Sequence, residues 1–225
     1  MLLFVGAVSV LPALFWLWFW LKEDVKKPEP RGLLAAAFVA GMIVVFAVLP
    51  LERLAYSLLS DTTHLIVAWA ATEEVLKYLA LFMVAMRSRY FDEPIDGVIY
   101  AITVALGFAA MENFLYIINT IADTSFAVSI LNGNLRFIGA TLLHTVSSAA
   151  IGIAIAFSFY MSRAKKALYT AIGISVAILL HTLFNLFIIR TESVSELLAV
   201  FSSLWIIIII VLVVLEKIKR IKARS

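Results

Sequence analysis

The chain has 225 residues, 64% of them apolar and only 15% charged, with a mean hydropathy of +1.05. Globular chains run about 45–50% apolar and about 25% charged, so soluble, disordered and collagen-like classes are excluded and a polytopic all-α membrane protein is expected. The absence of Cys removes disulfides, thiolate metal sites and Cys nucleophiles, and the net charge of +3 reflects basic loops rather than nucleic-acid binding.

A spanning helix needs about 20 mostly apolar residues. In chain order, seven runs meet this, at roughly 2–21, 33–51, 62–86, 97–118, 137–160, 167–189 and 196–215. No basic residue precedes the first run, while Lys22, Lys26 and Lys27 follow it, so it reads as a retained span and not a cleaved signal. Lys22–Arg31, with Pro28 and Pro30, reads as a linker. The stretch Tyr90-Phe91-Asp92-Glu93-Pro94, with Asp96, reads as a short solvated acidic turn, and Asn119–Arg136 as an external loop able to dock a substrate segment. His64, Trp16, Trp18, Trp20 and Trp69 are expected at the membrane interface or facing lipid. No repeat divides the chain, so residues 1–225 form one membrane domain, with spans three to six (62–189) as its catalytic core.

Basic residues set the orientation. Lys22, Lys26, Lys27, Arg31, Arg87, Arg89, Arg163, Lys165, Lys166, Lys217, Lys219, Arg220, Lys222 and Arg224 fall on one side, against Arg53, Arg136 and Arg190 on the other. This bias predicts an external N-terminus and a cytoplasmic C-terminus in the cell membrane.

Ionisable groups inside a membrane are costly and mark function. Span three carries Glu73, Glu74 and Lys77; span four, Glu112 and Asn113; span five, His144; span six, His181 and Asn185. Glu73 and Lys77 share a helix face at i,i+4, as do His181 and Asn185. Counted from the external ends of their spans, Glu73, Glu112, His144 and His181 all lie about 9–17 Å deep at 1.5 Å per residue. Taken singly, each has a plainer use: Glu73, Glu74 and Lys77 as a packing ion pair, the imidazoles, Asn113 and Asn185 as interhelical hydrogen-bonding groups. A shared depth on four helices favours one site.

Glutamate, imidazole and amide in an enclosed layer suit water activation. A buried carboxylate can accept a proton from water, an imidazole can orient that water, and His181 with Asn185 can donate to an oxyanion. The favoured assignment makes Glu73 the base, pairs Glu74 with Lys77, gives His144 the water and leaves Glu112 to support an imidazole. No cofactor is required by this scheme. The same groups also suit zinc, with Glu73, Glu112, His144 and His181 as candidate ligands. No H-E-x-x-H helix occurs to choose between the two.

The ordered motifs Glu73-Glu74-Val75-Leu76-Lys77, Phe91-Asp92-Glu93-Pro94-Ile95-Asp96-Gly97-Val98-Ile99-Tyr100, Gly107-Phe108-Ala109-Ala110-Met111-Glu112-Asn113, His144 with Gly152, and Leu179-Leu180-His181 resemble the PrsW family of intramembrane proteases, relatives of the CAAX prenyl endopeptidases. The resemblance covers about residues 70–185. It implies a CAAX-protease-like helical core and an active-site set of Glu73, Glu74, Glu112, His144 and His181. It also implies cleavage of a single-span membrane protein, such as an anti-sigma factor, at its external boundary. CAAX endopeptidases carry His where this chain has Glu112, so prenyl-protein cleavage is not implied. The competing class is a proton- or ion-coupled transporter using the same buried Glu, His and Lys; no motif recurs between halves to support one.

Overall fold

The structure, a computed structural model, describes residues 2–24, 27–123 and 126–222, with the side chains of residue 2 and of residues 121–138 left undescribed. Within them are seven helices: α1 (Leu2–Leu21), α2 (Arg31–Leu58), α3 (Thr62–Val84), α4 (Asp96–Asp123), α5 (Phe126–Ser158), α6 (Arg163–Arg190) and α7 (Val194–Ile218). Six are long and apolar enough to cross a membrane. The exception, α3, fails on charge: Glu73, Glu74 and Lys77 sit mid-helix and all three are buried.

Most helices outrun their apolar sequences, because backbone hydrogen bonding continues where side chains turn polar. The largest corrections are at α2, which passes Leu51 by two turns to Leu58, and at α4 and α5. Most of the expected Asn119–Arg136 loop is helical backbone; its docking role concerns side chains that lie largely outside the described residues. Arg224 and Ser225 also lie outside them, as does Lys26. Caps begin two helices: Asp61 accepts from the backbone N–H of His64 at 2.8 Å, and Ser193 with Glu196 forms a capping box on α7. His64 is exposed beside this cap, with its Nδ1 3.0 Å from Asp61.

The centre of the bundle is α4, packed on α5, α2, α1 and α3. Two glycine crossings let it sit there. A Cβ on Gly107 would lie 1.9 Å from the Phe38 carbonyl oxygen, and one on Gly41 would lie 2.0 Å from that of Val104. At the α4–α5 crossing, a Cβ on Gly152 would lie 2.5 Å from the Gly97 oxygen. These are backbone contacts that only glycine permits. The core between them is apolar, with Val98, Ile102, Leu106, Val146 and Ile151 all buried. Large apolar side chains such as Ile43, Phe46, Phe187, Ile206 and Ile210 cover the outside. An outer surface this apolar requires lipid around it.

One end of the bundle gathers most of the basic residues and ties three connections together. Lys27 binds Asp92 at 2.5 Å, and Lys219 of the α7 end binds Glu23 at 2.7 Å. Asp96 is not solvated as the sequence reading expected. It is buried and accepts the backbone N–H groups of Asp92 and Glu93, both at 2.7 Å. Buried Tyr100 donates to Glu29, and Asp24 is buried beside them with its Oδ2 unpartnered. The motif around Asp96 is therefore a clamp of the α1–α2 linker onto the start of α4. Trp20 is likewise buried here, not at an interface.

Candidate active site

Toward the opposite end, α3, α4, α5 and α6 bring their ionisable residues together. Glu73 and Glu74 are neighbours on α3 and point about 100° apart. Glu74 is fully enclosed. Its Oε1 takes the Lys77 ammonium at 2.5 Å and faces His181 Nδ1 at 2.9 Å, while its Oε2 accepts from Ser148 at 3.2 Å. Lys77 also reaches His144 Nδ1 at 3.1 Å and lies 4.7 Å from the Phe108 ring centre. A lysine so deeply buried needs this company, since an unpaired charge there costs several kcal/mol.

Glu73 is different. Its Oε2 is buried and has no hydrogen-bond partner. Around that oxygen stand His144 Nδ1 at 3.7 Å, His181 Nε2 at 3.9 Å and Lys77 Nζ at 3.9 Å. The two imidazole rings meet edge-on with centres 5.1 Å apart. Behind His144, the far nitrogen Nε2 is 2.8 Å from Glu112 Oε2. Each imidazole therefore has one nitrogen against a carboxylate and the other turned toward Glu73. Facing an ionised carboxylate, the ring N–H must donate, so the nitrogen toward Glu73 carries the lone pair in the neutral ring.

Glu73, His144 and His181 have potential ligand atoms all within 4.8 Å of one another. Two ligands about 2.1 Å from a tetrahedral zinc are separated by about 3.4 Å. The separations of 3.7 and 3.9 Å from Glu73 Oε2 exceed this by only a few tenths of an ångström. A bare carboxylate oxygen with one nitrogen of each imidazole turned toward it is a donor set that fits a divalent metal, provided Lys77 gives up its 3.1 Å contact with His144 Nδ1. Glu112 stands behind His144 rather than in the three-ligand group.

These residues open onto a cavity of about 540 Å³, within the range of small-molecule sites. Glu73, Glu112, His144, His181 and Asn185 line its polar side; Leu143, Phe184, Ile188, Leu197 and Phe201 line the apolar side. Asn113 is not in the wall; buried, it donates to Thr141 at 3.4 Å, which is helix packing. Two wall residues were missed from sequence. Trp69, expected at an interface, lines the cavity and donates its indole N–H to the Glu52 carbonyl at 3.1 Å. Glu52 itself lines the cavity, with its carboxyl within interaction distance of Glu73. It was overlooked because the second apolar run ends at Leu51. Its depth is a usable signal: six residues before the end of α2 places it about 9 Å below that end.

The chain is similar to known proteins over most of its length. The model of the PrsW family of intramembrane metalloproteases matches residues 29–215. Among curated relatives named Protease PrsW, that of Oceanobacillus iheyensis is 27% identical over 219 residues, covering 92% of this chain and 93% of the relative. That of Clostridioides difficile is 28% identical over 193 residues, covering 82% and 79%. That of Geobacillus kaustophilus is 26% identical over 164 residues, covering 72% and 67%. No solved structure matches the chain.

Proposed function

Since this chain belongs to the PrsW family of intramembrane metalloproteases, and so is a membrane-embedded peptidase, we propose that it hydrolyses a peptide bond near the external boundary of a single-span membrane protein. An anti-sigma factor or similar regulator is the fitting class of substrate. The N-terminus is external and the C-terminus cytoplasmic, on the strength of the basic-residue bias. The observation that carries the reading is the buried, unpartnered Glu73 Oε2 facing two imidazole nitrogens.

Glu73, His144 and His181 would hold a metal, with Glu74 and Glu112 fixing the two rings from behind. Zinc bound there would supply a water of lowered pKa and would polarise the scissile carbonyl. The sequence reading favoured hydrolysis without a metal and used His181 as an oxyanion donor. The Glu74 contact at 2.9 Å argues against that use, since His181 then offers a lone pair to the cavity. Asn185 in the cavity wall takes over as donor to the oxyanion. Lys77 holds Glu74 in place. In the reaction the water oxygen bonds to the carbonyl carbon, the C–N bond breaks, and a water proton ends on the leaving nitrogen.

Position follows from the backbone. Unwinding a substrate helix in lipid exposes polar groups at several kcal/mol each, so a wet cavity close to one face is where it occurs. The test is proteolysis by the purified protein of a single-span substrate in detergent, with Glu73→Gln as control and product termini read by mass spectrometry. Cuts at the external flank, lost in Glu73→Gln, support the proposal. Cuts confined to the cytoplasmic flank overturn it.

A further inference from the structure

Four carboxylates surround the proposed centre, and three have visible assignments. Glu74 is held by Lys77, His181 and Ser148. Glu112 is against His144 Nε2 at 2.8 Å. Glu73 presents its bare oxygen to both imidazoles. Glu52 remains. It comes from a different helix, α2, and lines the cavity with Glu73 and Glu112, close enough to both carboxyls to interact with them. Its carboxyl is near that of Glu73, and its backbone is pinned by the Trp69 indole, itself a wall residue. Unlike Glu73 and Glu74 it is only half-buried.

We propose that Glu52 is a further catalytic residue: its carboxylate accepts a hydrogen bond from the attacking water beside Glu73 and turns the water's lone pair toward the scissile carbonyl. This rests on the reading that the Glu73–His144–His181 centre hydrolyses peptide bonds. With Glu73 and the two imidazoles committed to the metal, none of them would be left to accept a hydrogen bond from the attacking water and aim it. Orientation requires an acceptor besides them, and Glu52 is the carboxylate in the wall with no imidazole to support. An anchored backbone lets the side chain hold a fixed direction, and misorientation of a nucleophile by an ångström costs about a hundred-fold in rate.

The experiment compares wild type with Glu52→Gln and Glu52→Asp, using Glu73→Gln as control. It measures kcat and KM on a single-span substrate, and zinc binding to the substrate-free protein by chelator competition. Glu52→Gln is isosteric but presents a weaker acceptor. The expected result is a kcat reduced about 100-fold or more, with KM within about three-fold and zinc affinity within about two-fold of wild type. Glu52→Asp restores part of kcat. Full activity in Glu52→Gln overturns the role, as does a raised KM with unchanged kcat, which makes Glu52 a substrate contact. Loss of zinc binding in Glu52→Gln also overturns it, by making Glu52 a ligand. Wild-type activity in Glu73→Gln, by contrast, overturns the underlying hydrolytic centre, so the two failures are told apart.

Discussion

Glu74 on α3 and His181 on α6, 107 residues apart in the chain, meet at 2.9 Å between Glu74 Oε1 and His181 Nδ1. The same oxygen holds Lys77 at 2.5 Å, so one carboxylate orients an imidazole and neutralises a buried ammonium. The adjacent Glu73 does neither at hydrogen-bonding distance. Two neighbouring glutamates thus have different surroundings: Glu74 is tied into the helix packing, and the Glu73 Oε2 is left without a hydrogen bond.

Glu74→Gln should therefore be the destabilising variant of the pair. It leaves Lys77 buried with Glu73 at 3.9 Å as its nearest remaining carboxylate. Breaking a buried ion pair on one side costs about 3–5 kcal/mol, so thermal unfolding in detergent should drop by several degrees. Glu73→Gln should unfold close to wild type, because no hydrogen bond is lost from Oε2, while cleavage falls at least about a hundred-fold. Equal melting shifts in the two variants would remove the distinction.

Metal dependence gives a second outcome. Purified protein should bind zinc near one equivalent, lose cleavage on chelation and regain it with zinc. His144→Ala and His181→Ala should each weaken zinc binding strongly, and Glu112→Gln more mildly, about 10–100-fold as for groups that support a ligand from behind. Chelator-resistant cleavage by zinc-free protein would return the mechanism to a carboxylate-activated water alone.

At the basic end, Asp24 has its pKa raised from 3.8 to about 6, chiefly by burial and then by the nearby Asp96 and Glu93 carboxylates. A carboxyl whose folded pKa is raised binds its proton more tightly when folded. Its stabilising contribution is complete below about pH 4 and is lost as pH rises toward 6. Asp24→Asn should remove this penalty and raise stability at pH 8 by on the order of 1 kcal/mol, with little change at pH 4. Melting curves of both proteins across this range test it; a parallel offset at every pH would contradict the assignment.

The α2–α4 crossing predicts a steric limit. Gly107→Ala places a methyl group on the Phe38 carbonyl, so α2 and α4 must separate. Overpacking of this kind costs about 1–3 kcal/mol. Because α2 carries Glu52 and α4 carries Glu112, activity should fall as well. An alanine variant with wild-type melting and turnover would show that α2 and α4 are not held in close contact at this crossing.

Much was readable from the chain alone. Seven apolar runs imply seven helices because a backbone in lipid must satisfy its own hydrogen bonds. The convergence of Glu73, Glu112, His144 and His181 was legible because apolar surroundings make each polar residue conspicuous and helical rise converts residue number into depth. Tertiary structure decided what one-dimensional spacing leaves open. Rotation of α3 decided which of Glu73 and Glu74 faces the cavity. Contacts between helices decided which nitrogen of each imidazole is committed to a carboxylate. Glu52 stayed hidden because hydropathy ends a span where side chains become polar, whereas the α2 backbone continues to Leu58. Asp96 was misread as solvated for the converse reason: a charged turn is ordinarily wet, and only the packing of the linker and α4 encloses this one. Periodicity and composition record how each segment meets its solvent; which groups meet each other depends on helix rotation and register, which are set by packing.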